Sequence, residues 1–117
     1  MTAEEPRHYR VSIASSAVAD IKNIRQYILD TFCYEAYAKD FSRKIADAIE
    51  KMNIFPLAYP KSGFVLEGYE IHFRPWKSYL ISFIVREDEV QIIRGLKDRM
   101  YWQAVLKRMI NEKESES

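Results

Sequence analysis

Between Ala17 and Ile28 the apolar residues Ala17, Ile21, Ile24 and Ile28 recur at the spacing of one helical face, with Lys22, Asn23, Arg25 and Gln26 on the other. Ala38, Phe41, Ile45, Ala48, Ile49 and Met52 repeat the stripe as far as Ile54, where Phe55-Pro56 stops it. Only Phe32-Cys33 separates the two patterns, so the helices must fold back as an antiparallel hairpin. Ahead of them, Tyr9 to Ile13 alternates with period two and reads as a short strand with Val11 and Ile13 on one face. Ser15 or Ser16 can cap the first helix, and Asp20 sits near its first turn, where the helix dipole favours a negative charge.

The second half changes period. Residues 56–63, with Pro56, Pro60 and Gly63, read as a loop, and Phe64 to Phe73 as extended chain. Pro75 cannot donate a ladder hydrogen bond, which places a turn at Arg74 to Ser78. Tyr79 to Val85 is apolar and β-rich enough for a buried strand. Glu87-Asp88-Glu89 breaks the run, and Val90 to Arg94 resumes the sheet. Asp98 then opens a last helix in which Tyr101, Val105 and Met109 share a face, with Trp102 and Leu106 beside it. The order predicted is β-α-α-β-β-β-α, an α+β domain with a mainly antiparallel sheet against an N-terminal helical hairpin and a C-terminal helix. Residues 1–8 read as a flexible lead-in, 9–110 as one domain, and 111–117 as a disordered charged tail.

Composition narrows the class. A chain of 117 residues with 48% hydrophobic and 14% aromatic content can bury one core and is not disordered by composition. No apolar run approaches the roughly 20 residues that span a bilayer. The opening MTAEEPRHYR holds no apolar signal region, so a cytoplasmic location and no membrane partner are expected. Cys33 is alone and reads as a structural or buried thiol, with no His within ten residues to activate it. No Cys or His pairs stand at metal-ligand spacing, and nothing calls for a metal or cofactor. The net charge of +1 divides unevenly: residues 1–68 sum to zero, residues 69–110 to +3 and the last seven to −2. That bias is well short of the basic balance of most nucleic-acid binders.

Several strings in this order resemble the RelE/ParE superfamily of toxins from bacterial type II toxin–antitoxin modules. YRVSIASSAVADIKNIRQYI is similar to the family's first strand and helix, AIEKMNIFPLAYP to the end of its second helix, and WKSYLISFIVREDEVQIIRGL to its central hairpin. The resemblance covers roughly residues 9–106. It implies a growth-arresting toxin neutralised by a cognate antitoxin, in a toxin–antitoxin hetero-oligomer of the kind that stabilises plasmids. Two mechanisms follow from it. One is a metal-independent, ribosome-dependent endoribonuclease (an mRNA interferase) acting on ribosome and mRNA, which is placed first. The other is a non-enzymatic ParE-like poison of DNA gyrase, and an inactive antitoxin-binding relic is a third outcome. Leu80 stands where the ribonuclease members carry an Arg after the Tyr of the central strand, and Met100 and Tyr101 also leave their pattern.

Cleavage by 2′-hydroxyl attack needs a base, cations for the phosphate and an acid for the leaving oxygen. The residues of the right kind are Arg99, Tyr101 and His72 as catalytic candidates. Arg74, Lys77, Arg94, Lys97 and Trp102 are the candidates for binding RNA or another target. Each has an ordinary reading beside it. His72 alternates with Ile71 and Phe73 as a solvent-side strand residue would. Arg74 and Lys77 flank a turn, Arg99 adjoins Asp98 at a helix start, and Tyr101 and Trp102 suit a core-facing helix. Arg94 alternates with Ile93 and is the best placed to line an open sheet face. An extended or helical antitoxin segment is expected to cover an apolar groove between helices and sheet together with the basic edge, by the helix-in-groove or strand-addition mode.

Overall fold

The structure, a computed structural model, describes residues 8–97 and 101–115, with the side chains of 114 and 115 excepted. β1 (Arg10–Ile13) leads into α1 (Ser15–Phe32) and α2 (Glu35–Glu50), followed by 3-10 turns at Lys51–Asn53 and Pro56–Ala58. β2 (Lys61–Leu66), β3 (Tyr69–Trp76), β4 (Tyr79–Arg86) and β5 (Glu89–Lys97) form a meander, and α3 (Trp102–Ser115) follows. The strands make one sheet in the order β1-β5-β4-β3-β2, antiparallel except where β1 joins β5. The α+β architecture is as the sequence predicts, with one strand more. Glu67 and Gly68, at φ +52° and +87°, cut the expected extended stretch into β2 and β3. Two consecutive left-handed residues suit the right-handed twist of a hairpin. The turn after Pro75 falls at Lys77-Ser78, because Pro75 itself lies in β3 opposite Leu80.

The sheet is buried on both faces. On one, Ile81, Phe83, Val90 and Ile92 meet Ala17 and Ile24 of α1 and Phe41, Ile45 and Ile49 of α2. On the other, Leu66, Ile71, Phe73, Ile84, Ile93 and Leu96 surround Leu106 of α3, with Trp102, Val105 and Met109 beside it. Both helical stripes read from the sequence are therefore core-facing. α3 runs on to Ser115, through residues whose lack of periodicity predicts a disordered tail. Asp98, expected to open that helix, lies outside the described residues.

The start of α1 departs from expectation. Ala14 occupies the cap position, and neither Ser15 nor Ser16 bonds the helix's own amides. Ser16 Oγ donates instead to the Ile93 carbonyl at 2.7 Å, while Asp20 Oδ2 accepts the Gly95 N–H at 2.9 Å. β1 ends at Ile13, opposite Ile92, yet β5 continues to Lys97. The backbone groups of β5 beyond that point have no strand beside them on this side, and α1 side chains satisfy them. In β1, Val11 packs into the first core, but Ile13, the last residue of a short strand, is exposed.

Among the described residues, five connections turn on residues other than glycine with left-handed backbone: Cys33, Phe55, Glu67, Lys77 and Glu87, all with φ between +50° and +53°. Cys33 closes α1, its N–H donating to the Leu29 carbonyl at 2.8 Å, and it is exposed at the tip of the hairpin. The expected buried thiol is thus corrected by helix capping: a position of this kind points outward and is usually taken by Gly or Asn.

Candidate functional site

Alternation along β3 decides which side chains reach which face. Ile71 and Phe73 turn toward α3, while His72, Arg74 and Trp76 turn toward the helical hairpin, where they meet Phe83, Tyr59 and Phe41. On α2 the buried stripe leaves Arg43, Lys44 and Asp47 along its flank, and Lys51 continues that flank at the helix C-cap. Helix flank and strand end form the two walls of a cavity of about 430 Å³, with Arg74, Trp76 and Lys77 on the strand side and Ala48 at its floor. Five cations and a single carboxylate line it.

The cations are held loosely. Asp40 accepts from Arg43 at 3.0 Å and pairs with Lys44 at 2.9 Å, and Lys51 pairs with Asp47 at 3.0 Å. All are solvent-exposed local pairs along α2 and its C-cap, the weakest kind. The Lys44 hydrogen bond holds the Asp40 carboxyl below its ordinary value of 3.8. Lys77 Nζ lies 5.2 Å from the centre of the Trp76 ring, and the Arg74 guanidinium bonds the Tyr59 hydroxyl and covers its ring. Arg43, Lys44 and Lys51 were not legible as site residues, because they read as the polar side of an amphipathic helix. The signal would have been their spacing on the flank that faces the basic end of β3.

The predicted site residues do not converge. Arg74 and Lys77 share the α2–β3 groove. His72, 4% exposed, is not solvent-facing: its Nδ1–H donates to the Tyr59 carbonyl at 3.0 Å and its ring stacks on Phe83. Arg94 does not line an open sheet face either. Asp20 holds it in a two-pronged salt bridge at 2.7 and 2.9 Å. Lys97 also reaches α1, further along, its Nζ 4.3 Å from the centre of the Tyr27 ring. Trp102 is half-buried against the α3-side core, edge-on to Phe73 at 4.6 Å and to Phe64 at 6.1 Å. Tyr101 is the reverse, 86% exposed beside a cleft of about 700 Å³ that Arg94, Val105 and Arg108 also line. Arg99 lies outside the described residues. Leu80 packs against the α3-side core. Among the described residues no three His, Cys, Asp or Glu come together as a metal site, and no helix is long and apolar enough to cross a membrane.

Comparison with known proteins joins this geometry to a family. Residues 11–102 match the family described as the ParE toxin of the type II toxin–antitoxin system parDE. The chain belongs to that family, which lies within the resemblance read from its sequence. Among solved structures, a chain of the chromosomal ParDE toxin–antitoxin system from P. aeruginosa superposes with a TM-score of 0.64 at 14% identity. The match covers 77% of this chain and 96% of that one, and at such identity it speaks for the fold alone. Comparison with curated proteins gives no match. As the toxin of a type II system, the protein has a cognate antitoxin as partner.

Proposed function

We propose that this toxin arrests growth by binding DNA gyrase, as the resemblance to the ParE branch implies, and not by cutting messenger RNA. The observation that carries the reading is the dispersal of the nuclease candidates. His72 is spent on a backbone carbonyl inside the core, Arg94 on Asp20, and Arg74 and Lys77 belong to a groove other than the Tyr101 cleft. General acid–base catalysis needs its groups within hydrogen-bond reach of one substrate, whereas a poison needs only a complementary surface. Leu80, in place of the phosphate-binding Arg of the ribonuclease relatives, points the same way.

One observation favours the endoribonuclease as a second reading: Tyr101, Arg94 and Arg108 do share a cleft. Inducible expression in bacteria, following protein synthesis and chromosome integrity separately over the first minutes, distinguishes the two. DNA breaks with translation initially intact, together with inhibition of purified gyrase, are expected. A prompt fall in translation with cut messages on ribosomes overturns the proposal in favour of the nuclease. Unimpaired growth leaves an antitoxin-binding relic.

A further inference from the structure

We infer that the α2–β3 groove is a docking site for an acidic polypeptide segment. The groove stands apart from the Tyr101 cleft, and the inference holds whichever target the toxin poisons. Arg43, Lys44, Lys51, Arg74 and Lys77 against Asp40 and Asp47 give this patch a charge of +3, where the whole chain carries +1. Positive charge is therefore concentrated here, and the remainder of the protein is net acidic. Since the intrahelical partners of these cations are exposed, little is lost when an incoming carboxylate replaces them.

The walls also set a spacing. Lys44 on α2 and Lys51 at its C-cap stand seven residues apart, about 10.5 Å along the axis. A polyproline-II segment, with three residues per turn, covers about that distance in three residues and brings every third side chain back to the same face. A segment with carboxylates at every third position would meet both lysines while facing Arg74 and Lys77 across the groove.

A nucleic acid fits the same walls less well. Asp47 stands on the α2 wall between Lys44 and Lys51, and a regular phosphate backbone would have to pass it. A base has no open ring to stack on, because Trp76 lies against Tyr79 at 6.1 Å and 28° and carries Lys77 over its ring. Base stacking and a run of unopposed cations are what single-strand binders rely on. The interleaved carboxylate and the covered ring favour a peptide.

The test uses the full-length toxin and a fluorescein-labelled 12-residue peptide with Glu at every third position and Leu and Ser between. Its Gln-for-Glu counterpart and a 12-nucleotide single-stranded RNA serve as competitors. Fluorescence anisotropy is expected to show binding that weakens at least tenfold in Lys44→Glu/Lys51→Glu, at sites exposed enough to leave thermal unfolding unchanged. Lys107→Glu/Arg108→Glu, on exposed positions of α3, is expected to retain wild-type affinity. The inference is overturned if the Gln peptide binds as well as the Glu peptide. It is also overturned if the groove variant binds normally, or if the RNA binds more tightly and loses its affinity in that variant. Growth arrest is read separately, so failure here leaves the assignment of the toxin's target untouched.

Discussion

Asp20 and Arg94 are joined by two parallel hydrogen bonds, and the same carboxylate accepts the Gly95 N–H. Both side chains are largely shielded, 13% and 25% exposed. One residue of α1 thus fixes the helix against the unpaired part of β5 through charge and backbone together. Asp20→Ala is expected to destabilise the fold by about 2–3 kcal/mol, because it strands a shielded guanidinium and a backbone donor. Arg94→Ala should cost less, since the carboxylate keeps Gly95. Urea denaturation of both variants checks the order, and equal losses would mean that the Gly95 bond contributes nothing.

His72 supports the fold from inside the core. His72→Ala should lower stability by about 2–4 kcal/mol through the cavity and the orphaned Tyr59 carbonyl. His72→Asn, which can place a donor near the Nδ1 position, should recover part of that. Toxicity of each variant is expected to follow its folded fraction. A variant with wild-type melting temperature but no growth arrest would restore His72 to the active groups.

Ser82 is fully buried, and its hydroxyl finds no hydrogen-bond partner among the described residues. It sits in β4 at the β-bulge, opposite Arg94. Removing an unsatisfied hydroxyl while keeping the Cβ should be favourable, so Ser82→Ala is expected to raise stability by about 0.5–1 kcal/mol. Calorimetry of the two proteins decides, and a clear loss in the variant would reveal a bond to this hydroxyl.

These positions show where sequence reading reached and where it stopped. The helical stripes and the β4 and β5 runs were legible because burying an apolar face imposes a period on consecutive residues. Ser16, Asp20 and Arg94 were legible only as surface or cap residues, since what they bond lies more than seventy positions away. The α2 flank had the same problem: Lys44 and Lys51 look like any solvated helix face until β3 brings Arg74 and Lys77 opposite. Period reports a residue's own element, not the element across from it. His72 is buried for a related reason, because its alternation predicts which face it occupies and not that Tyr59 and Phe83 close over it.

Burial, with a smaller contribution from the neighbouring Tyr27, pushes the Tyr79 phenol above its ordinary value of 10.0. The folded state therefore keeps its proton at a pH where the unfolded chain has begun to lose it. This contribution to stability is complete below about pH 10 and is lost as pH rises through the raised folded value. Tyr79→Phe should flatten the fall in melting temperature across that alkaline window. An unchanged alkaline slope would show that other groups cause it.

Glu87 turns the β4–β5 hairpin at φ +50°. Glu87→Asn puts a residue more tolerant of that backbone region at an exposed position and is expected to add about 0.5–1 kcal/mol. Comparing the two unfolding midpoints suffices, and a lower midpoint in the variant would mean that the Glu87 carboxylate makes a stabilising contact.

Glu87 is one of five such corners, with Cys33, Phe55, Glu67 and Lys77. A left-handed residue with a side chain costs of order 1 kcal/mol, so together they remove several kcal/mol from folds whose whole margin is typically about 5–15 kcal/mol. A smaller margin enlarges the unfolded population on which cellular proteases act. How long each copy of the toxin persists is then governed partly at its corners, four of which lie outside the α2–β3 groove. Potency and lifetime become separable: substitutions at Cys33, Glu67 or Glu87 would lengthen the residence of the folded protein in the cell while leaving untouched the surface it presents.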